Sequence, residues 1–330
     1  MDNTLKSQTP HSKNPSSWRS RKVAIVGAGA VGATFAYAMA QNGAADEVCL
    51  IDVNEELCKG QVLDLAHGLP FYPTSEIYVG SEQDYRDADV IVITAGAAQK
   101  KGETRLDLLK KNGSIIEGIV DQITAQGSEA VIVVVTNPVD ILTKIALERS
   151  GWDRNRVIGS GTVLDSSRFK YLLSEFFDVY VGSIHAYILG EHGDSEFAAW
   201  SMANISGVQL DEYSDQLGIE DWPQKKHDIE QDVRDSAYHV IDYKGATNFG
   251  VGLALVQIVE AILKDQRRVL TVSYHLEGEY DIDDVCLATP CLLSQHGVAS
   301  IIGTELTTIE KSKLLNSAKI LKKEYTNLKG

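Results

Sequence analysis

Three short segments hold polar side chains that packing alone does not explain: AAQKKGETRLDL (97–108), GTVLDSSRFKYLL (161–173) and HAYILGEHGDSE (185–196). Singly, each has a plain reading. A charged loop stays solvated. Asp165 and Arg168, three apart on one helix, form an ion pair worth about 0.3–0.5 kcal/mol. A lone histidine such as His192 is more often a surface or core residue than a catalyst. Together, however, they supply one reaction. Hydride reduction of a ketone needs a proton donor active near neutral pH, a task for which imidazole is suited. It also needs a carboxylate to orient and charge-stabilise that imidazole, a cation to polarise the carbonyl, and a planar fork for a substrate carboxylate. His192, Asp165, Arg105 and Arg168 provide one of each.

A hydride needs a carrier, and the start of the chain offers a place for one. Directly after KVAIV, the glycines Gly27, Gly29 and Gly32 of GAGAVG open a helical pattern running through TFAYAMAQNG, with Val31 inside the motif. Such glycines allow a tight turn, room for a pyrophosphate against backbone N–H groups, and close helix–strand contact. Asp52 closes the next strand, EVCLID, twenty residues beyond Gly32. A carboxylate there accepts hydrogen bonds from an adenosine ribose and repels a 2′-phosphate, which favours NAD over NADP. The plain alternative is a glycine-rich turn and an Asp that merely ends a strand. TAGAA (94–98), with Gly96 and Ala97, and VTNP (135–138), with Asn137, follow later strands. Ser160 follows RVIG in the same way. Ligands of open α/β sheets sit beyond these strand ends, so the loops are expected to line the nicotinamide half of the groove.

The elements that must position these groups follow from periodicity. From Lys22 to about Gly159, β-branched runs alternate with helical patterns, the signature of a doubly wound parallel α/β sheet. A helix over 162–177 begins an α+β half. An acidic, mostly polar stretch (211–235) follows, then an apolar helix near 247–263. RVLTVSY, VCLATP, CLLSQ and GVASIIG read as antiparallel strands of a smaller sheet, and a closing helix carries Leu314, Ala318, Leu321, Tyr325 and Leu328 on one stripe. The expected division is a disordered tail at 1–20, a cofactor-binding domain at 21–160 and a catalytic, substrate-binding domain at 161–330.

Composition narrows the class. The chain has 330 residues, 44% hydrophobic and 23% charged, with a formal charge of −15, which disfavours nucleic acid as a partner. Its apolar runs are shorter than the ~20 residues of a membrane span, and the polar start lacks a secretory pattern, so a cytoplasmic protein is expected. Cys49, Cys58, Cys286 and Cys291 show no metal-ligand spacing and read as reduced packing residues.

In order along the chain, GAGAVG, DLAHG, AGAAQKKGETRLDL, TNPVD, GSGTVLDSSRFKYLL, GEHGDSE and KGATNFG resemble the NAD-dependent L-lactate and malate dehydrogenases, from about residue 21 to 325. The likeness is strongest to the bacterial L-lactate branch. It implies a Rossmann domain followed by a mixed catalytic domain, assembled as a homotetramer or dimer, that interconverts pyruvate and L-lactate. By that likeness His192 donates and accepts the proton, Asp165 orients it, and Arg168 grips the substrate carboxylate. Arg105 polarises the carbonyl from a closing loop, Asn137 hydrogen-bonds the substrate and cofactor side, and Thr247 lines the pocket. The position of Gln99 reads the third carbon of the substrate: glutamine accompanies pyruvate, whereas arginine accompanies oxaloacetate. Enclosing a second carboxylate without a cation costs several kcal/mol, which agrees with that rule. A malate or broad 2-hydroxy-acid dehydrogenase is the alternative. Many bacterial members bind fructose 1,6-bisphosphate through a histidine and an arginine. His185 matches the first and Lys170 replaces the second, keeping the charge without the fork. Leu57 stands where many relatives carry a basic residue near the adenosine phosphate.

Overall fold

A computed structural model describes residues 20–97, 104–303 and 305–329. The expected tail thus lies, up to its last residue, outside the described residues, and so does Gln99.

The β-branched runs form six parallel strands: β1 (Lys22–Val26), β2 (Glu47–Ile51), β3 (Glu76–Val79), β4 (Val90–Ile93), β5 (Val131–Val134) and β6 (Val157–Gly159). Every residue of β1, β4 and β5 is buried, as strands covered on both faces must be. The crossovers carry α1 (Ala30–Asn42), α2 (Glu55–His67), α3 (Arg105–Ala125) and α4 (Val139–Ser150). The spatial order is β3-β2-β1-β4-β5-β6, so the winding reverses between β1 and β4 and opens a crevice at their carboxyl ends.

The second half starts with α5 (Val163–Phe177) and continues through short strands β7 (Ile184–His185), β8 (Ile188–Leu189), β9 (Phe197–Ala198), β10 (Asn204–Ile205) and β11 (Val208–Gln209). The acidic stretch, read from sequence only as polar, is helical: α6 (Leu210–Gln216) and α7 (Trp222–Lys244). Then come α8 (Phe249–Leu263), β12 (Val269–Glu277), β13 (Asp283–Ser294), β14 (Gly297–Ile301) and α9 (Thr308–Lys329). The α9 stripe faces inward as expected, with Leu314, Ala318 and Leu321 buried.

One expectation is corrected. The antiparallel strands are not a separate smaller sheet; they extend the parallel one to nine strands in the order β14-β13-β12-β6-β5-β4-β1-β2-β3. VCLATP and CLLSQ are a single strand, β13, because Pro290 lies just beyond the β14 ladder, which ends at the Cys291–Ile301 pair. The junction is the pair Ser273–Gly159. A Cβ at Gly159 would come within 2.4 Å of Thr143 Oγ1 and 2.9 Å of the Ser273 Cβ, so only glycine lets β12 close on β6.

A single apolar core therefore runs through both halves, from Ile25, Phe35 and Ile132 to Leu255, Val272 and Leu314. A second cluster gathers Phe169, Leu173, Phe177, Trp222 and Val233 beneath α5 and α7. Helix α8 lies on α1, where Asn248 Nδ2 donates to Thr34 Oγ1 at 2.8 Å. All four thiols are buried. Among the described residues no helix is long and apolar enough to cross a membrane.

Gly159→Ala is expected to lower stability by about 1–3 kcal/mol through overpacking at the sheet junction. Urea unfolding followed by circular dichroism checks this, and an unchanged midpoint would show that the junction yields without strain.

Candidate active site

Asp165 sits in the first turn of α5, where the helix N-terminus favours a negative charge, and is almost wholly buried at 1% exposure. His192 comes from a hairpin loop. Strands β8 and β9 pair Ile188 with Ala198 and Leu189 with Phe197, and the loop between them turns toward α5. His192 Nδ1 lies 2.7 Å from Asp165 Oδ2, and Arg168 Nη1 donates to Asp165 Oδ1 at 2.6 Å. The intrahelical ion pair of Asp165 and Arg168 is present, and the same carboxylate also bonds the His192 ring.

Electrostatics follow from this geometry. Burial works against an imidazolium at His192, but the charge and hydrogen bond of Asp165, with Glu196 and Asp140 behind, lift it to about 9. Burial likewise opposes ionisation of Asp165, yet His192 and Arg168 hold its carboxyl below the usual range. Glu196, 4.0 Å from His192 Nδ1 and 5% exposed, is pushed well upward by burial and by the negative charge of Asp165. Burial works against both carboxyls, and only Asp165 has hydrogen-bonded cations that outweigh it.

His192, Asp165, Arg168 and Glu196 line a cavity of about 530 Å³, together with Asn137, Arg105, Arg234 and Tyr238. Arg105 begins α3 behind a capping box between Thr104 and Asp107. Its side chain is 83% exposed at the mouth, 3.7 Å from Asp194 Oδ2, away from the buried cluster. Thr247 lies half-buried in the linker before α8 and is not among the residues lining this cavity.

Sequence reasoning missed several polar contributors, among them Arg234 and Tyr238, which line the cavity from α7. Asn112 accepts from Ala97 N–H at 2.8 Å and donates to Asn137 O at 3.1 Å, tying two of the expected loops together. Asp140 accepts the His192 backbone N–H at 2.8 Å. Glu196 was visible only as the last letter of GEHGDSE. Asn112 and Asp140 stand inside helical patterns where nothing local marks them, whereas an acid four residues after a candidate histidine was a usable signal.

The cofactor segments converge at the crevice between β1 and β4. Gly29 caps α1, and no side chain caps that helix end, which leaves its first-turn amides for a ligand. A Cβ on Gly29 would meet nothing within 4 Å, so the missing side chain leaves open space in front of those amides. Gly32 is packed instead: its Cβ would lie 1.8 Å from Gly27 O. Asp52 accepts from Ala28 N–H at 2.6 Å and from Asn54 N–H at 2.8 Å, locking the glycine turn to the end of β2. Val31 is half-buried on α1, Gly96 and Ala97 follow β4, and Ser160 follows β6 with its N–H on Val134 O at 2.8 Å. An open anion cradle beside an anchored carboxylate fits a dinucleotide.

Two family models cover nearly all of the described chain: the lactate/malate dehydrogenase NAD-binding domain matches residues 21–159, and the lactate/malate dehydrogenase alpha/beta C-terminal domain matches 162–329. The chain belongs to the lactate/malate dehydrogenase family. It is 52% identical to an L-lactate dehydrogenase of Treponema denticola, over 94% of this chain and 99% of that one. Identity to an L-lactate dehydrogenase of Priestia megaterium is 48%, over 92% and 95%. Among solved structures, a lactate dehydrogenase from a Medee basin deep-sea metagenome library superposes with a TM-score of 0.91 at 41% identity, covering 95% of this chain and 100% of that one. Like the family, the protein is an NAD-dependent oxidoreductase with a Rossmann domain. At the adenosine side Leu57 is exposed, and Lys59, one turn from Glu55, pairs with it at 3.1 Å.

The raised histidine makes a pH prediction with a definite sign. The folded value of about 9 exceeds the ordinary 6.5, so the stabilisation is fully present below about pH 6.5 and is lost as pH rises through about 9. NMR titration of the His192 ring is expected to show the imidazolium persisting beyond pH 8, and Asp165→Asn should bring its midpoint down to 6.5 or below. A wild-type midpoint near 6.5 would contradict the described coupling.

Proposed function

We propose that the protein interconverts pyruvate and L-lactate, with His192 as proton donor in reduction and acceptor in oxidation. The observation that carries this reading is the anchoring of His192 Nδ1 on Asp165 at 2.7 Å, which leaves Nε2 as the ring nitrogen for the cavity. The names of the relatives support it, and none of those reported is a malate dehydrogenase.

NADH, when bound, supplies the hydride. We assign its contacts to Gly27, Gly29, Val31, Gly32, Asp52, Gly96, Ala97, Asn137 and Ser160, within the 21–160 domain. Arg168 commits Nη1 to Asp165 and offers its remaining N–H donors to the substrate carboxylate. Arg105 supplies the charge that polarises the carbonyl oxygen, and Asn137 adds a hydrogen bond. As negative charge develops on that oxygen, Nε2 gives up its proton, and the ring is left neutral with Nδ1–H still on Asp165. In the reverse direction the neutral Nε2 takes the hydroxyl proton. Gln99 selects pyruvate because a neutral amide cannot compensate the second carboxylate of oxaloacetate. Thr247 is placed on the pocket wall by the resemblance alone.

We assign a homo-oligomer, dimer or tetramer. Phe71 on the segment after α2, and Phe249 and Leu253 on α8, stand open to water in the single chain at 84%, 68% and 62% exposure, which supports a covering partner of the same kind. Four buried thiols fit a reducing compartment, in line with the cytoplasm. The regulatory reading places fructose 1,6-bisphosphate at His185 and Lys170. His185 is exposed, and Lys170, stacked 5.4 Å over the Tyr187 ring, is lowered by burial and by the neighbouring charge of Arg268, a conflict that an anion would relieve.

NADH oxidation with pyruvate and with oxaloacetate tests the reading. Pyruvate is expected to be turned over far faster, Gln99→Arg should shift preference toward oxaloacetate, and His192→Asn should lower kcat by about 10²–10⁴-fold while still binding NADH. Normal turnover by His192→Asn would sink the proton-transfer assignment. Added fructose 1,6-bisphosphate is expected to lower the pyruvate KM in the parent and not in a Lys170→Ala variant; no response in the parent removes the regulatory site.

A further inference from the structure

We infer that Asp140 is a positioning residue for this reaction: its buried carboxylate holds the backbone of His192, and so sets where the imidazole stands between Asp165 and the substrate. The inference rests on the reading of His192 as the proton donor and concerns a residue that never meets the substrate.

Asp140 is in the first turn of α4, three residues after Asn137, and is 2% exposed. Its Oδ2 accepts the His192 backbone N–H at 2.8 Å, and its Oδ1 accepts the Ser273 hydroxyl at 2.5 Å. Three separate parts of the fold therefore meet on one carboxylate. They are the helix that follows Asn137, the strand β12 at the sheet junction, and the hairpin loop that carries the histidine. The loop is also pinned two residues earlier, where Gly190 and Ala288 exchange N–H···O bonds of 3.1 and 3.0 Å. His192 is thereby clamped at two points, by Asp140 on its main chain and by Asp165 on its ring, and the pair of anchors directs Nε2 into the cavity. Without the first anchor, the next point at which the loop main chain is held is the Ser195 carbonyl, which accepts the Ser317 hydroxyl at 2.7 Å.

The charge of Asp140 acts as well as its geometry. Burial pushes this carboxyl up to about 6, against the pull of the Ser273 and His192 hydrogen bonds, so it is ionised at neutral pH. It then adds to the negative potential that favours the imidazolium. The other titratable groups lining the cavity around His192 are Asp165 and Arg168 from α5, Glu191, Asp194 and Glu196 of its own loop, Arg105 from α3, Arg234 and Tyr238 from α7 and Glu324 from α9. Those facing Asp140 are Glu191 of the loop, Lys144 of its own helix, Asp284 from β13 and Lys322 from α9, with the Cys286 thiol between them. None of these substitutes for an acceptor at the His192 amide.

The test uses full-length Asp140→Ala and Asp140→Asn, with thermal unfolding, NADH binding and pyruvate kinetics across pH. Asp140→Ala is expected to bind NADH within about twofold of wild type and to lose on the order of 10²-fold in kcat, the scale of a misplaced reacting group. Asp140→Asn keeps an oxygen for the His192 N–H and a donor for Ser273, so it should recover most of that loss. In both variants the pH at which pyruvate KM begins to rise should fall below that of wild type, because the charge is gone. A general loss of folded protein would not move that inflection. If Asp140→Ala does not fold, the inflection in Asp140→Asn decides. A wild-type kcat in folded Asp140→Ala, or inflections unmoved from wild type in every folded variant, overturns the inference. A wild-type protein that failed to reduce pyruvate would instead overturn the reading on which the inference rests, so the two failures are told apart.

Discussion

A carboxylate almost entirely removed from water has to be faced by cations, since an isolated buried charge costs several kcal/mol. Asp165 is in that position, and the rest of the site is arranged around meeting its demand. One oxygen takes Arg168 and the other takes His192, so the same charge orders a guanidinium and an imidazole on one cavity wall. Burial and then the field of Asp165 push the neighbouring Glu196 well upward, while the cations on Asp165 hold that carboxyl down. The environment, rather than the residue type, sets how readily each acid ionises.

The cofactor side relies on a similar economy. Asp52 spends both oxygens on backbone amides of the glycine turn and of the α2 cap region, so it is rigidly placed before any ribose arrives. The neighbouring glycines divide the labour: Gly32 permits close packing and Gly29 leaves space. Anchoring before binding reduces the ordering cost that a ligand must meet.

Much of this was legible in the sequence because it is carried by residue type and local spacing. Continuous β-branched runs gave β1, β2, β4, β5 and β6, and GAGAVG followed by EVCLID marked the cofactor crevice. His192, Asp165 and Arg168 were recognisable as complementary groups, although their proximity was not. What escaped depends on tertiary contact. The four residues of β3, EIYV, carry too little pattern to stand out after LPFYPTS. The merging of the antiparallel strands into the parallel sheet hangs on one Ser273–Gly159 pair, for which no periodicity exists. Helix α7 was hidden because it buries only Trp222, Ile229, Glu230 and Val233 while the rest of its surface is solvated. Asp140 acts through a main-chain amide, and a backbone partner leaves no trace in the side-chain pattern.

The continuity of the nine-stranded sheet bears on how the chain is made and kept. The cofactor half emerges first during synthesis, but one side of β6 has no partner until β12 arrives, and α1 has no cover until α8 does, the Thr34–Asn248 contact joining residues 214 apart. During that interval a β-edge and an apolar helix face are open together, the combination that invites pairing between nascent chains. The two halves therefore share one sheet and one apolar core. A chain cut near residue 160 would carry a complete cofactor motif on a sheet with an unprotected edge.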